Sequence, residues 1–538
     1  MKNRKFRMLA LLMAAVMLLS CLSGCGLAER LNAYIGTNVP VVKFSKIQYT
    51  RPDTTALMEH QAACVELAQA GENFKALEDT IWDLYDEYYN FATQEALADI
   101  HYSQDLTDIY WEEEYNWCLD AATEVDAAMD QLFFVLAASP FRQELEREDL
   151  FGAGFFDAYM GESVWDPEFT AMMEEEAALI AAYYSLYEQL IGENPGSVGY
   201  DDVAMEMAEL YAELVLLRQQ QADHSGYNDY RNFVYEFYYD RDYKPSQEEL
   251  YLSQVREHLV PLYRRICTAG VDGMEYEAVT EAQTYRYVRE AARNMGGLVW
   301  ESFLRMDVAG LYDISYGENK YGASFEIFLM NYYEPFIFMN PQGDSYDKLT
   351  FAHEFGHFCN DYVSYGSLVG VDAGEVFSQG MEYLSLEYAD DTEALTKLKM
   401  LDSLCIYVEQ SAYATFEAEV YRMDPEDVTA ENIIALYEDV AARYALDLWE
   451  TDGLEFVTIS HFFTNPLYVF SYVVSNDAAM QIYQMERTEA GSGLALYEEN
   501  LDAETPGFLG FLEEAGLKSP FSYGRVIEAK LIFEEILG

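Results

Sequence analysis

Basic residues are scarce in this chain. Its 538 residues include 32 Lys and Arg against 95 Asp and Glu, which gives a formal net charge of −63. A protein that binds nucleic acid needs Lys and Arg to neutralise phosphate groups, so this composition argues against nucleic acid as a partner. The excess of carboxylates is typical of a protein that an acidic surface keeps in solution.

Long apolar runs are also absent, apart from one near the N-terminus. That run covers residues 8–19, follows four basic residues and is too short to span a bilayer permanently, which is typical of a signal peptide. Leu22–Cys25 then resembles a bacterial lipobox, with Cys21 as a second candidate. We therefore expect a signal peptide over 1–24 and a bacterial extracytoplasmic protein, at the cell surface or on the periplasmic side, held to the membrane only by a lipid on Cys25. A plain secreted protein or an uncleaved anchor is the alternative.

Cysteine usage excludes a disulfide framework. Of seven cysteines, two lie in the signal region, and the remaining five are odd in number with no C-x-x-C spacing. Apolar residues at spacings of three and four instead predict helices almost everywhere from residue 53. We expect a tether over 25–50, an N-terminal helical domain over 51–245 and a second domain over 246–538. One such apolar stripe comprises Phe74, Leu77, Ile81, Leu84, Tyr88 and Phe91.

The helical pattern is interrupted between residues 320 and 345. Ser324–Phe328 and Pro335–Asn340 are short, aromatic and β-branched, which predicts two strands. A turn follows, in which Asp344 or Ser345 can cap the next helix. We therefore predict a small sheet whose edge strand leads by this turn into that helix. Such an edge can pair with an extended peptide, although a hairpin that only covers the core fits the pattern equally well.

The next helix contains the sequence H-E-x-x-H. His353 and His357 are four residues apart and share one helix face, so both imidazoles can bind one metal ion, with Glu354 beside them. Zinc in a hydrolase takes three protein ligands and leaves one position for water. Glu375, on the following helix, is the natural third ligand. The alternatives are two histidines that cap a core helix, and a Glu375 that only forms a capping box with Asp372.

This residue set suits amide hydrolysis. Zinc acidifies bound water and polarises a carbonyl, and Glu354 can take the proton of that water and later give it to the leaving amine. A phenol or imidazole donor would stabilise the oxyanion, and His461, Tyr468 and Tyr472 are available. The two tyrosines are four residues apart and equally fit a core stripe, and His461 alone fits a structural histidine.

Two further residues lie near the motif. Glu382 follows Glu375 by seven residues on the same helix face, where it either orients a metal-bound imidazole or is simply solvated. Cys359 follows His357 by two residues and faces the other way, so we expect it to pack in the core.

Taken together, these segments resemble the thimet oligopeptidase and oligoendopeptidase F group of zinc metallopeptidases, and its oligoendopeptidase F branch in particular. The resemblance spans residues 317–476 and is weaker over 224–243. It is carried by PFIFMN, KLTFAHEFGH, GEVFSQGMEYL and ISHFFTNPLYVFSYVVSND.

The resemblance implies a mainly α protein in which two helical halves flank a deep substrate channel, with a small β-sheet beside the H-E-x-x-H helix. It implies one Zn²⁺ on His353, His357 and Glu375, and Glu354 as the base. Tyr472 matches the oxyanion-stabilising tyrosine of the family. His461 and Tyr468 would contact the substrate. Three departures leave this metal set unchanged: Asn360 where the family often has His, a shorter spacing from His357 to Glu375 than in its better-known members, and Phe470 where Tyr is common.

The expected activity is zinc-dependent endopeptidase cleavage of short unstructured oligopeptides. If the cleft shares the net charge of the chain, cationic peptides are favoured. A dipeptidyl or monocarboxypeptidase on a similar helical scaffold is one alternative, and it would need an Arg or Lys to capture a terminal carboxylate. A catalytically inactive peptide-binding lipoprotein is the other, and the intact Glu354 argues against it because binding needs no general base.

Overall fold

The computed structural model describes residues 42–147, 150–159, 167–190, 197–271, 276–366, 369–448, 453–505 and 507–538. The expected signal peptide, Cys25 and most of the expected tether lie outside these ranges. Within them helices predominate and one small sheet is present, so the predicted mainly α class is confirmed. None of the described helices combines the length and the apolar character that a membrane crossing requires.

The helices are numbered here in chain order. The first group comprises α1 (Thr54–Ala70), α2 (Phe74–Gln104), α3 (Ile109–Ala137), α4 (Arg142–Leu145), α5 (Pro167–Leu190), α6 (Val198–His224) and α7 (Tyr230–Phe237). The second comprises α8 (Pro245–His258), α9 (Val260–Ala269), α10 (Glu281–Met295), α11 (Gly297–Ala309), α12 (Asp347–Ser364), α13 (Val371–Tyr388) and α14 (Glu393–Cys405). The third comprises α15 (Ser411–Val420), α16 (Ala430–Arg443), α17 (Ser460–Thr464), α18 (Val469–Thr488), α19 (Ser492–Glu499), α20 (Phe508–Glu514) and α21 (Arg525–Ile536).

Two hydrophobic cores organise these helices. The smaller core lies among α1, α2 and α3 and ends near Phe156, while α5 and the later helices pack into the larger one. Helix α2 belongs to both, because Leu84 faces the smaller core and Leu97 faces the larger. The predicted apolar stripe of α2 is buried from Leu77 onward. The proposed domain boundary at residue 245 stays a prediction, although α5 to α7 already share the larger core.

Residues 42–50 of the expected tether lie against α2 and α3. The Thr50 backbone N–H donates to the Gln94 side chain at 2.7 Å, and the Tyr49 hydroxyl donates to Glu114 at 2.7 Å. Ile47 is buried in the larger core. This part of the expected tether therefore packs against the helices.

The sheet contains three strands, β1 (Tyr312–Asp313), β2 (Phe325–Leu329) and β3 (Glu334–Phe338), in the order β1-β3-β2. β3 runs parallel to β1 and antiparallel to β2. The strand that leads into the H-E-x-x-H helix is therefore the buried central strand, and the prediction of an edge strand at this position is wrong. The edge lies on β2 instead, because β1, only two residues long, covers the other side of β3.

Helix α12 begins after a turn built on two aspartates. The Asp344 carboxylate accepts a hydrogen bond from the Tyr346 N–H at 2.8 Å, and the Asp347 carboxylate accepts from the Gln342 and Gly343 N–H groups at 2.9 and 2.8 Å. The N-cap position is Tyr346, which makes no side-chain cap. The predicted cap at Asp344 or Ser345 is therefore wrong, and the aspartates set the direction in which β3 enters the helix.

Candidate active site

Helices α12 and α13 cross at very short range, and Gly356 makes this possible. A Cβ at position 356 would lie 2.6 Å from the Ser378 Cα, which is closer than side chains approach a backbone. Gly356 lies between the two histidines of α12, and Ser378 lies one turn beyond Glu375 on α13. The close crossing therefore brings Glu375 onto the histidine face of α12.

His353, His357 and Glu375 converge on one point. Their ligand atoms all lie within 4.8 Å of one another. Glu375 Oε2 is 3.5 Å from His353 Nε2 and 3.7 Å from His357 Nε2. Ligands around a tetrahedral zinc ion, with bonds near 2.1 Å, lie about 3.4 Å apart. Two imidazole nitrogens and one carboxylate at these distances fit a single zinc ion, with one coordination position left over.

The charges around the histidines favour a cation. Burial lowers the pKa of His353, but its hydrogen bond to Glu382 and the charge of Glu375 raise that pKa to about 9. Burial, together with the charge of His353, lowers the pKa of His357 to about 4. The carboxylates therefore favour positive charge at this point, and a divalent ion held by the Nε2 atoms would supply it without a proton.

Glu382 is the acceptor that orients the first imidazole. His353 Nδ1 lies 2.9 Å from Glu382 Oε1, which leaves Nε2 directed toward Glu375. The predicted choice between an orienting and a solvated Glu382 is thus resolved, since the side chain is buried. Glu375 in turn accepts a 2.8 Å hydrogen bond from the Ser378 hydroxyl.

Glu354 is buried beside the histidines and borders a cleft of about 580 Å³. Burial raises its pKa to about 7, with Glu375 and Glu382 acting in the same direction and His353 opposing them. A carboxyl group with this pKa can both accept and release a proton near neutral pH. The turn before α12 also lines the cleft, through Asn340, Gln342 and Tyr346 among others.

His461, Tyr468 and Tyr472 form one cluster near the metal-ligand group. The Tyr472 hydroxyl lies 3.3 Å from His461 Nε2, and the His461 and Tyr468 rings stack with centroids 5.6 Å apart. Burial raises the pKa of Tyr472, and the charges of Glu375 and Glu354 raise it further, which places its hydroxyl within their field. Burial lowers the pKa of His461, so its imidazole is neutral near pH 7.

Comparisons with known proteins agree with this arrangement. Residues 44–159 match the family description "Peptidase M3 N-terminal domain", and residues 300–503 match "Peptidase family M3". These two segments together make up more than half of the chain. The chain belongs to peptidase family M3.

Solved structures of peptidases share the fold of this M3 peptidase. A structure assigned as an oligoendopeptidase F has a TM-score of 0.77 at 21% identity, over 92% of this chain and 98% of that one. PZ peptidase A with a bound inhibitor has a TM-score of 0.77 at 20% identity, over 92% and 99%. A protein from Bacillus anthracis that is also assigned as an oligoendopeptidase F has a TM-score of 0.73 at 20% identity, over 92% and 98%. No curated protein sequence matches the chain. The resemblance drawn from the sequence is confirmed, and the protein is a peptidase.

Two buried arginines hold the segment that carries the His–Tyr cluster of this M3 peptidase. Arg218 donates to the carbonyl oxygens of Phe462 and Phe463 at 2.7 and 2.6 Å. Arg241 donates to the Leu467 carbonyl at 3.1 Å and to the Ser471 hydroxyl at 2.8 Å. The two guanidinium groups thus satisfy the Phe462 and Phe463 carbonyls near the end of α17 and the Leu467 carbonyl between α17 and α18.

Arg241 also reaches α13, the helix that carries Glu375. Its Nε lies 3.4 Å from Asp372 Oδ2, and the Tyr243 hydroxyl donates to the same oxygen at 2.8 Å. Asp372 is therefore engaged by Arg241 and Tyr243 rather than by a capping box, and the Glu375 carboxylate is left to face the histidines. The arginines lie far from the motif in sequence. Arg241 falls within residues 224–243, the weaker part of the resemblance, but no local pattern predicted a role for either arginine.

The remaining predictions near the site have structural outcomes. Cys359 is buried in the larger core, as expected from its position on the helix. Asn360, which replaces a family histidine, donates to the Leu501 carbonyl at 2.8 Å and so ties α12 to the end of α19. Among the described cysteines none is in a disulfide, in agreement with the sequence.

Proposed function

We propose that this M3 peptidase is a zinc-dependent endopeptidase that cleaves short unstructured oligopeptides. The observation that carries the proposal is the convergence of His353, His357 and Glu375 at 3.5 to 3.7 Å, with Glu354 buried next to them. Zinc bound there would lower the pKa of water and polarise the scissile carbonyl. Side chains of the protein would carry out the proton transfer and stabilise the oxyanion.

Glu354 is the proton carrier of the proposed reaction. Its carboxylate accepts the proton of the attacking water, and the resulting acid donates that proton to the departing amine. The pKa of about 7 suits both steps at neutral pH. The Tyr472 hydroxyl donates a hydrogen bond to the oxyanion of the tetrahedral intermediate, and the neutral His461 beside it keeps the hydroxyl in place.

Features of the cleft support cleavage at internal bonds of a peptide substrate. The edge of the sheet lies on β2, and Ser324, directly before β2, borders the cleft, so an extended peptide can pair with this edge and lie past Glu354. The residues that line the described cleft include no Lys or Arg. A carboxypeptidase needs such a cation to capture the terminal carboxylate, so its absence from this wall argues for endopeptidase action. The Asp344 and Asp347 carboxylates nearby favour cationic peptides.

Mass spectrometry of a peptide library tests the proposal. The library contains short basic and acidic peptides of graded length, each in free and C-terminally amidated form. We expect internal cleavage of both forms, loss of cleavage with a chelator and recovery with Zn²⁺. Cleavage that persists in the presence of the chelator would contradict the assignment of zinc. Release of single residues or dipeptides from free C-termini alone would establish the exopeptidase alternative.

The Tyr472→Phe variant tests the oxyanion role. Loss of one preorganised donor is expected to lower kcat roughly 10²-fold, while KM and the zinc content stay close to wild type because the ring and its packing remain. Steady-state kinetics on one fluorogenic peptide measures this. Tyr388→Phe, which removes a hydroxyl that donates to Glu486 at 2.8 Å, is the matched control and should keep kcat. If Tyr472→Phe and wild type had equal kcat, the Tyr472 hydroxyl would have no part in catalysis and the side chain would serve only in packing.

We also propose that a lipid on Cys25 anchors the protein outside the cytoplasm. The basis is the sequence alone, a signal-type segment followed by Leu22–Cys25. In a bacterial host, Cys25→Ser is expected to abolish incorporation of labelled palmitate and to move the protein from the membrane fraction to the soluble one. Cys21→Ser is the matched control and should stay in the membrane fraction. Membrane retention of unlabelled Cys25→Ser would point to an uncleaved anchor instead.

A further inference from the structure

Lys399 is a fully buried cation next to the metal-ligand group. It lies on α14, and its side chain has 0% exposed surface. Its Nζ is 2.8 Å from Glu382 Oε2 and 3.3 Å from Asp402 Oδ2, and it lies 5.1 Å from the centre of the Tyr383 ring. A buried ammonium is strongly destabilising unless it is paired with carboxylates. The position of Lys399 therefore depends on Glu382 and Asp402.

Glu382 joins this ammonium to a metal ligand. Its Oε1 lies 2.9 Å from His353 Nδ1, and its Oε2 faces Lys399. Each oxygen thus has one partner, and a carboxylate held at both ends cannot rotate. The imidazole of His353 is consequently fixed with Nε2 toward Glu375. Outer partners that fix a metal-bound histidine typically contribute 10- to 100-fold to metal affinity.

The second carboxylate on Lys399 leads to the wall of the cleft. Asp402 Oδ1 accepts a 3.0 Å hydrogen bond from the Tyr346 hydroxyl. Tyr346 lines the cleft and occupies the N-cap position of the helix that carries the histidines. The ammonium is therefore linked directly to α13 through Glu382 and indirectly to the start of α12 through Asp402 and Tyr346.

We propose that Lys399 is a positioning residue of the metal centre. It holds the Glu382 carboxylate in place, and through Glu382 it fixes His353, without contact with the substrate or the metal. The inference rests on the proposed zinc function. A residue that merely supports the packing of α13 on α14 would act independently of the charge at position 382, and this difference can be measured.

A double-mutant cycle on zinc affinity tests the proposal. Dissociation constants for Zn²⁺ are measured by competition with a chromophoric chelator for wild type, Lys399→Met, Glu382→Gln and the double variant. We expect Lys399→Met to weaken zinc binding roughly 10- to 100-fold. In the Glu382→Gln background the same change should alter the constant less than about twofold, because a neutral amide needs no ammonium. At saturating zinc, Lys399→Met should lower kcat and leave KM unchanged.

Lys397→Met is the matched control on the same helix. Lys397 makes a 3.6 Å ion pair with exposed Glu393, so its loss should leave the zinc constant unchanged. An unchanged constant in Lys399→Met overturns the inference, and so does an equal loss in both backgrounds. If Lys399→Met does not fold, the comparison of Glu382→Gln with the double variant decides, since neither has a charged group at position 382. A wild-type protein that binds no Zn²⁺ overturns the proposed function itself.

Discussion

Glu354→Gln is expected to lower kcat roughly 10²- to 10⁴-fold, the usual contribution of a positioned general base. The amide fills the same space but cannot accept the proton of the attacking water or pass it to the leaving amine. KM should change little, because Glu354 is buried and forms only one part of the cleft wall. Kinetics on a fluorogenic peptide gives both constants.

Zinc content separates this effect from loss of the metal. Glu354 is not among the three converging ligands, so Glu354→Gln should retain one zinc per chain by elemental analysis. Glu248→Gln is the matched control, because it changes a buried carboxyl group that accepts a hydrogen bond from Tyr235 away from the metal group. It should keep wild-type kcat. A Glu354→Gln variant that cleaves the library as wild type does would require a different base, whereas a wild-type protein that binds the peptides and cleaves none would establish the peptide-binding alternative.

Local spacing is why the convergence of His353, His357 and Glu375 could be predicted from the sequence. On a helix, four residues separate neighbours on one face, so His353 and His357 are placed by helix geometry alone. Glu375 required one further assumption, that the next helix packs against this face, and the glycine in H-E-F-G-H supplies the close contact. The confirmed fold class follows from the long 3.6-residue periodicity for the same reason, since the signal is repeated in every turn.

The strand order and the supporting ion pairs could not be predicted in this way. Alternation of polar and apolar residues predicts strands. Because β1 spans only two residues and shows no such alternation, the sequence did not indicate that β3 is the central strand. The sequence around Lys399 predicts only an ordinary amphipathic helix. Arg241 and Leu467 are 226 residues apart, a separation at which spacing carries no information. These partners are set by how the helices pack, not by local sequence.

Loss of a buried cation is especially destabilising in a chain with so few basic residues. Lys399, Arg218, Arg241 and Arg525 are all buried against carboxylates, on Glu382, Glu176, Asp372 and Asp477 respectively. With a net charge of −63, almost any buried carboxylate that loses its cation remains in an unfavourable field. The stability of the site therefore depends on individual cations more than on the number of ion pairs.

Arg241→Met is accordingly expected to lower the free energy of unfolding by about 3–5 kcal/mol, the usual result of removing one partner of a buried pair. The change leaves Asp372 without its cation and frees the Leu467 carbonyl and the Ser471 hydroxyl. It also removes a guanidinium 4.5 Å from the Tyr235 ring and 4.7 Å from the Tyr239 ring. Because Leu467 and Ser471 flank Tyr468, the folded variant should also lose activity. Denaturant titration followed by tryptophan fluorescence measures the stability.

Arg264→Met is the matched control for this experiment. Arg264 also pairs with an aspartate, Asp447, at 3.1 Å, but the two side chains are 48% and 45% exposed. An exposed pair contributes at most about 1 kcal/mol, so this variant should unfold close to wild type and keep its activity. If the two variants lost equal stability, burial would not govern these pairs, and Arg241 would have no special part in holding the Tyr468 segment against the helix of Glu375.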